Sequence, residues 1–254
     1  MTDGAKPAFP AMSIEQAHAL LTAPGSPLEV GEEEVRGIRM KVWKNAPPTL
    51  REIYAAGAAF GARDHLVFEN ERATVAAFQA AANKFAHQLI ADGVKPGDRV
   101  ALIMRNLPEW PVAFWGAVLA GAIVTPLNAW WTGPELEYGL KNSGSSLAIM
   151  DVERYERVRE HLDNCPDLKK IYVSRSKEEI ADPRIERLET IVGTTADWAS
   201  IPANAPPAIA TKADDDVAIF YTSGTTGNPK GAVISHRNII SNMLNGMSAQ
   251  ARAF

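Results

Sequence analysis

Ten consecutive residues, Thr222-Ser223-Gly224-Thr225-Thr226-Gly227-Asn228-Pro229-Lys230-Gly231, hold the densest concentration of groups able to bind charge. They include three glycines, four hydroxyl side chains and one lysine, with no bulky apolar residue among them. Glycine permits positive φ and close approach of a ligand to the main chain, so Gly224, Gly227 and Gly231 are expected to let backbone N–H groups converge on an anion. The hydroxyls of Thr222, Ser223, Thr225 and Thr226 add donors, and Lys230 adds a mobile positive charge suited to phosphate oxygens. Together they read as a triphosphate cradle.

The elements on either side must hold that loop in place. Val217 to Tyr221 is a β-branched and aromatic run introduced by Asp214-Asp215-Asp216, and it reads as a buried strand. Ala232-Val233-Ile234 reads as a second strand, so the loop is expected to join two strands. A Walker A loop would place glycine before the lysine, a hydroxyl residue after it, and then a helix. Here those two positions are Pro229 and Gly231, which excludes that motif.

The stretch from Tyr221 to Gly231, followed by Ser235-His236-Arg237-Asn238, resembles the signature of the adenylate-forming superfamily, which includes the acyl-coenzyme A synthetases. The resemblance extends back to about Leu50 through Gly93-Val94-Lys95-Pro96-Gly97-Asp98-Arg99-Val100, Asn106-Leu107-Pro108-Glu109, and Ala120-Gly121-Ala122 through Pro126-Leu127-Asn128. It implies that a carboxylate attacks the α-phosphate of ATP to give an acyl-adenylate and pyrophosphate, after which the thiol of coenzyme A displaces AMP. By motif position, it implies Thr222 as the hydroxyl contacting Mg2+. Ser223, Gly224, Thr225, Thr226, Gly227 and Lys230 are implied to wrap the β- and γ-phosphates, with Lys230 and Thr226 as the catalytic pair. The implied substrate is a fatty or other apolar carboxylic acid. Adenylation of the peptide-synthetase kind is less favoured, because Pro126-Leu127-Asn128-Ala129-Trp130-Trp131 resembles acyl ligases more.

Structural readings stand beside these. Thr225 and Thr226 could serve only to stabilise the turn through side-chain to backbone bonds. Lys230 could be a solvated surface lysine. His236 and Arg237 read as helix-opening residues before catalysts, and Trp130 and Trp131 as packing residues before the border of a ligand channel.

Composition narrows the class. An apolar fraction of 46% and a charged fraction of 22% suit a globular chain with a sizeable core. A net charge of -4 with no basic block argues against a nucleic-acid partner. Cys165 is the only cysteine, which rules out an intrachain disulfide, and the histidines lack metal-ligand spacing. Met1 to Pro7 carries no basic region followed by an apolar core, so a cytoplasmic protein is expected.

Read in order, the chain opens with a lead-in arm and possible strand over 1–48, with a helix at Ser13 to Leu21 and a strand from Val35 to Val42. A first α/β subdomain is expected over 49–200, and the start of a second, carrying the phosphate loop, over 201–254. Thr74 reads as the N-cap of a helix bearing Phe78, Ala81, Ala82, Phe85 and Leu89, with Gly93 ending it. Strands at Arg99 to Met104, Ala122 to Thr125, Leu147 to Asp151 and Lys170 to Ser174 alternate with helices at Pro108 to Ala120, after the capping box Thr132-Gly133-Pro134-Glu135, and at Glu153 to Leu162. This alternation predicts an α/β fold with a doubly wound, largely parallel sheet and flanking helices, expected by resemblance to be an incomplete N-terminal domain of the adenylate-forming fold. Ser174 to Ala213 reads as a surface excursion, and Ser235 as the cap of a helix presenting Ile239, Ile240, Met243, Leu244 and Met247 on one face.

Glu109 and Glu135 bound a stretch without formal charge, long enough on paper to span a bilayer. Pro111, Gly116, Gly121, Pro126 and Gly133 interrupt it, so a buried helix and strand are expected and membrane insertion is not. The chain is expected to be the front part of a longer enzyme, lacking C-terminal segments needed for catalysis. The alternative is a non-catalytic, truncated subdomain that at most binds phosphate weakly.

Overall fold

In the computed structural model the described residues are 12–222 and 227–253, the last two of them by backbone only. The first elements are helix α1 (Ile14–Leu21) and the antiparallel hairpin of β1 (Val30–Val35) and β2 (Ile38–Trp43). Ser13 caps α1 reciprocally with Gln16, as a capping box should. The single strand expected from Val35 to Val42 is instead the turn of this hairpin and its second strand. Arg36 and Gly37 both take positive φ, 50° and 80°, the backbone of a tight two-residue hairpin turn.

Helix α2 (Leu50–Ala56) runs into a 3-10 turn at Gly57–Phe60, followed by the hairpin of β3 (Asp64–Phe68) and β4 (Glu71–Thr74). Thr74 accepts the Ala77 N–H at 3.2 Å and starts α3 (Val75–Ala91), and Gly93, at φ 92°, lies just beyond its end. Then come β5 (Arg99–Ile103), α4 (Glu109–Leu119), β6 (Ile123–Pro126), α5 (Gly133–Ser143), β7 (Leu147–Asp151), α6 (Val152–Val158) and β8 (Lys170–Ser174). The uncharged stretch after Glu109 is therefore a helix and a strand, and no helix among the described residues is long and apolar enough to cross a membrane.

The expected surface excursion after Ser174 needs correction. It contains β9 (Ile185–Arg187) and α7 (Leu188–Val192), and Trp198 in a following 3-10 turn is fully buried. The last elements are β10 (Asp216–Thr222), β11 (Lys230–Ser235) and α8 (His236–Ala253). On α8 the expected apolar face is only partly buried: Ile240 is covered, whereas Met243 and Met247 are exposed.

Seven strands form one sheet in the order β11-β10-β6-β5-β7-β8-β9. All neighbours pair in parallel except β10 with β11. The central strands are buried on both faces, which explains their nearly continuous apolar runs. Alternate residues serve the two faces. Ala101, Ile103, Ala148, Met150, Ile171 and Val173 pack with Leu136 and Leu140 of α5 and Val158 of α6. Tyr172 points the other way, meeting Phe85 of α3 edge-on at 5.2 Å. The architecture is thus α/β, with a largely parallel sheet and flanking helices, as the alternation predicts.

The chain divides into two compact units. One comprises Met1–Leu50, Lys212–Asp214 and His236–Phe254, and the other Arg51–Thr211 and Asp215–Ser235. The second unit contains the whole seven-stranded sheet, including the β10–β11 hairpin.

Candidate functional site

The expected strand-loop-strand arrangement is present. β10 and β11 are antiparallel neighbours whose last pair is Thr222 opposite Lys230. A hydroxyl and an ammonium-bearing side chain therefore stand at the two feet of the loop, and both residues are exposed. The Thr222 hydroxyl donates to the Lys230 carbonyl across the mouth at a long 3.4 Å. Gly227 takes φ 130°, where an L side chain is strained, and a Cβ added there would meet no atom within 4 Å. The structure thus brings Thr222 and Lys230 together. Ser223, Gly224, Thr225 and Thr226 lie outside the described residues.

Gly231 is needed for a different reason from the one its sequence suggests. It does not have positive φ. A Cβ at Gly231 would lie 2.7 Å from Ile219 Cγ2 and 3.3 Å from Tyr221 Cζ, so the site has room for hydrogen only. Tyr221 is its register partner and lays its ring over the bare glycine.

Side chains of helix α5 bond the residues next to both feet. Tyr138 donates its hydroxyl to the Pro229 carbonyl at 3.1 Å, and Tyr221 donates to Asn142 Oδ1 at 2.7 Å. Trp131 meets Tyr221 edge-on at 5.7 Å, the packing role expected of it. Burial raises the Tyr221 phenol above the ordinary tyrosine range. Neither Tyr138 nor Asn142 stands out in the sequence, because they lie about eighty residues from the loop and their contacts depend on the fold.

His236 and Arg237 have structural partners. Buried His236 accepts the Leu50 N–H through Nδ1 at 3.1 Å. Arg237 bonds Asp214 at 2.7 and 3.1 Å and Glu33 at 3.1 Å. That guanidinium holds the Asp214 carboxyl below the usual carboxylate range.

Two further polar clusters lie beyond the carboxyl ends of the parallel strands. Trp130 is not the packing residue expected: it is 66% exposed, with the Arg105 and Arg154 guanidiniums 4.3 and 5.8 Å from its ring centroid. Arg154 itself is buried and ties Asp151 to the Ala129 carbonyl. In the other cluster Arg175 bonds Glu109 at 3.0 Å and Glu71 at 3.0 Å beside a polar cavity of about 610 Å³. These partners come from β4, α4 and the end of β8, so no local motif announces them.

A hydroxyl and a lysine paired at the mouth of a glycine-bearing turn are the residue types that suit a polyphosphate and a divalent cation such as Mg2+. Comparison with known proteins gives the arrangement its family. The family of AMP-binding enzymes matches residues 53–253. A medium/long-chain-fatty-acid–CoA/3-oxocholest-4-en-26-oate–CoA ligase of Mycolicibacterium smegmatis is 35% identical over 176 residues, covering 68% of this chain and 30% of that protein. A crotonobetaine/carnitine–CoA ligase of Salmonella paratyphi C is 34% identical over 188 residues, covering 71% of this chain and 35% of that protein. The inhibitor-bound crystal structure of the N-terminal domain of FACL13 from Mycobacterium tuberculosis superposes with a TM-score of 0.60 at 29% identity, covering 75% of this chain and 45% of that one. The chain spans about a third of the length of the curated relatives it matches. On the family match and the strand-loop-strand site together, the chain belongs to the AMP-binding enzyme family.

Proposed function

We propose that this chain supplies the phosphate-loop part of an AMP-forming acid–CoA ligase acting on a fatty or other apolar carboxylic acid, in the cytoplasm. The observation that carries the reading is the register pairing of Thr222 with Lys230 at the mouth of the β10–β11 loop. In the proposed reaction the substrate carboxylate forms a bond to the α-phosphorus of ATP as the bond to pyrophosphate breaks, and the thiol of coenzyme A then displaces AMP. Charge concentrates on the departing pyrophosphate, and the task of the loop is to offset it. Lys230 would supply the positive charge. Thr222 would exchange its long bond to the Lys230 carbonyl for a contact with Mg2+, whose contribution when bound is to neutralise polyphosphate oxygens. Ser223, Gly224, Thr225, Thr226 and Gly227 complete the cradle in this proposal, with Thr226 and Lys230 as the catalytic pair. The fatty acid is favoured because one relative is named for medium- and long-chain fatty acids.

Titration calorimetry of the 254-residue chain with Mg·ATP tests the reading. Saturable binding is expected, weakened by Lys230→Ala about ten- to a hundredfold, since a charge-assisted hydrogen bond contributes about 1.5–3 kcal/mol. Equal affinity of the two proteins would refute it. Catalysis also needs the acid and the nucleotide held together, and this chain corresponds to about a third of a relative's length. The 254 residues alone are therefore expected to give no acid-dependent exchange of pyrophosphate into ATP. Exchange that Lys230→Ala abolishes would contradict this.

A further inference from the structure

We infer that α5 is the positioning element of the phosphate loop, with Tyr138 and Asn142 fixing where Lys230 and Thr222 stand while touching no phosphate themselves. The inference rests on reading the loop as a polyphosphate cradle.

The geometry works through rigid units. Thr222 and Lys230 form the last pair of the β10–β11 ladder, so the Pro229 carbonyl lies just beyond it. Tyr138 supplies that carbonyl with a donor at 3.1 Å. The same planar peptide carries the Lys230 N–H, so orienting the Pro229 oxygen also sets the direction in which Lys230 leaves the loop. At the other foot, the residue before Thr222 is Tyr221. Its ring is confined on three sides, by bare Gly231, by Trp131 edge-on at 5.7 Å, and by the hydrogen bond to Asn142 at 2.7 Å. Tyr138 and Asn142 are four residues apart, one turn along a single helical face, so one helix holds both feet at once.

For that to hold the feet still, α5 must itself be fixed. Glu135 accepts the Thr132 N–H at 2.7 Å at its start, and Gly144 ends it in the left-handed region at φ 63°. At its middle, a Cβ on Gly139 would stand 2.9 Å from Leu127 Cδ1 and 3.0 Å from Trp131 Cζ3, so glycine lets the helix settle onto those side chains. Buried Leu136 and Leu140 on the same helix anchor it in the sheet core.

The test uses Tyr138→Phe, which keeps the ring, and Asn142→Ala, with Asn142→Asp as the conservative variant that retains an acceptor oxygen. In the ligand-free chain, amide hydrogen exchange at residues 222 and 230 is expected to speed up severalfold in Tyr138→Phe and Asn142→Ala, with β5 and β7 unchanged and Asn142→Asp restoring protection. Calorimetry with Mg·pyrophosphate is expected to show about three- to tenfold weaker binding for the same two variants, the effect of losing one neutral hydrogen bond. The Tyr138→Phe loss should largely vanish in a Lys230→Ala background, which a general loss of stability would not produce. Unchanged exchange at both feet would overturn the inference. So would unchanged affinity in Tyr138→Phe and Asn142→Ala when Lys230→Ala does weaken binding. If Lys230→Ala leaves affinity unaltered, the cradle reading fails, and exchange at 222 and 230 still reports separately whether α5 holds the loop.

Discussion

Lys230 and Thr222 are legible in the sequence as chemical groups, because hydroxyl, glycine and lysine in one short loop have few other joint uses. Their mutual placement is not legible, since it depends on β-ladder register and on a helix eighty residues earlier. Gly231 makes the same point: its residue type was noted, but its reason, the lack of room beside Ile219 and Tyr221, exists only after pairing. Glu109 falls at the start of the helix expected from Pro108 to Ala120, and the fold sets its carboxyl in an environment that no local pattern announces. It is 4% exposed and its Oε2 has no hydrogen-bond partner. Burial raises its carboxyl above the ordinary range, and the bond from Arg175 only partly opposes this. A raised carboxylate pKa favours folding while the group is protonated. That contribution is complete below the unfolded value of about 4.3 and is lost as pH rises through the folded value. Glu109→Gln cannot ionise, so its stability relative to the parent is expected to improve between pH 4.5 and pH 8. Thermal melts at the two pH values check the sign, and a change against the glutamine variant would mean that pairing with Arg175 outweighs burial.

The elements that could be read best are those whose apolar pattern is decided by burial on both faces. β7 and β8 have the bounds their sequences suggest, Leu147–Asp151 and Lys170–Ser174. β9 and α7 escaped because an edge strand of Ile185–Arg187 and a helix of Leu188–Val192 are too short and too charged to show a period. The strand expected from Val35 to Val42 takes in the hairpin turn and β2 and misses β1, because the turn at Arg36-Gly37 contains only one of the usual turn residues. The contact of α3 with α4 gives an element-scale prediction. Gly116 lies where a Cβ would be 2.7 Å from Cδ1 of the fully buried Phe85. Replacing a glycine inside a helix by alanine ordinarily gains about 1 kcal/mol. Here overpacking is expected to reverse the sign, so Gly116→Ala should cost about 1–3 kcal/mol in urea unfolding. A stabilised variant would show that the two helices can part without cost.

On the scale of the whole molecule, the parallel sheet does for the site what neither loop nor helix does alone. β10 joins the sheet beside β6, and α5 follows β6 in the chain, so the loop and the helix that holds it are both carried by adjacent strands. The sheet class was legible from alternation, whereas the addition of β10 next to β6, ahead of strands that precede it in sequence, is a matter of topology that no local pattern carries. The most direct test of the cradle is amide chemical-shift mapping of the isotopically labelled 254-residue chain titrated with Mg·ATP. The largest changes are expected at Thr222, Gly227 and Lys230, and Lys230→Ala should shrink them at equal nucleotide concentration. Saturable changes centred elsewhere, with residues 222, 227 and 230 unmoved, would contradict the assignment of the β10–β11 loop as the polyphosphate site.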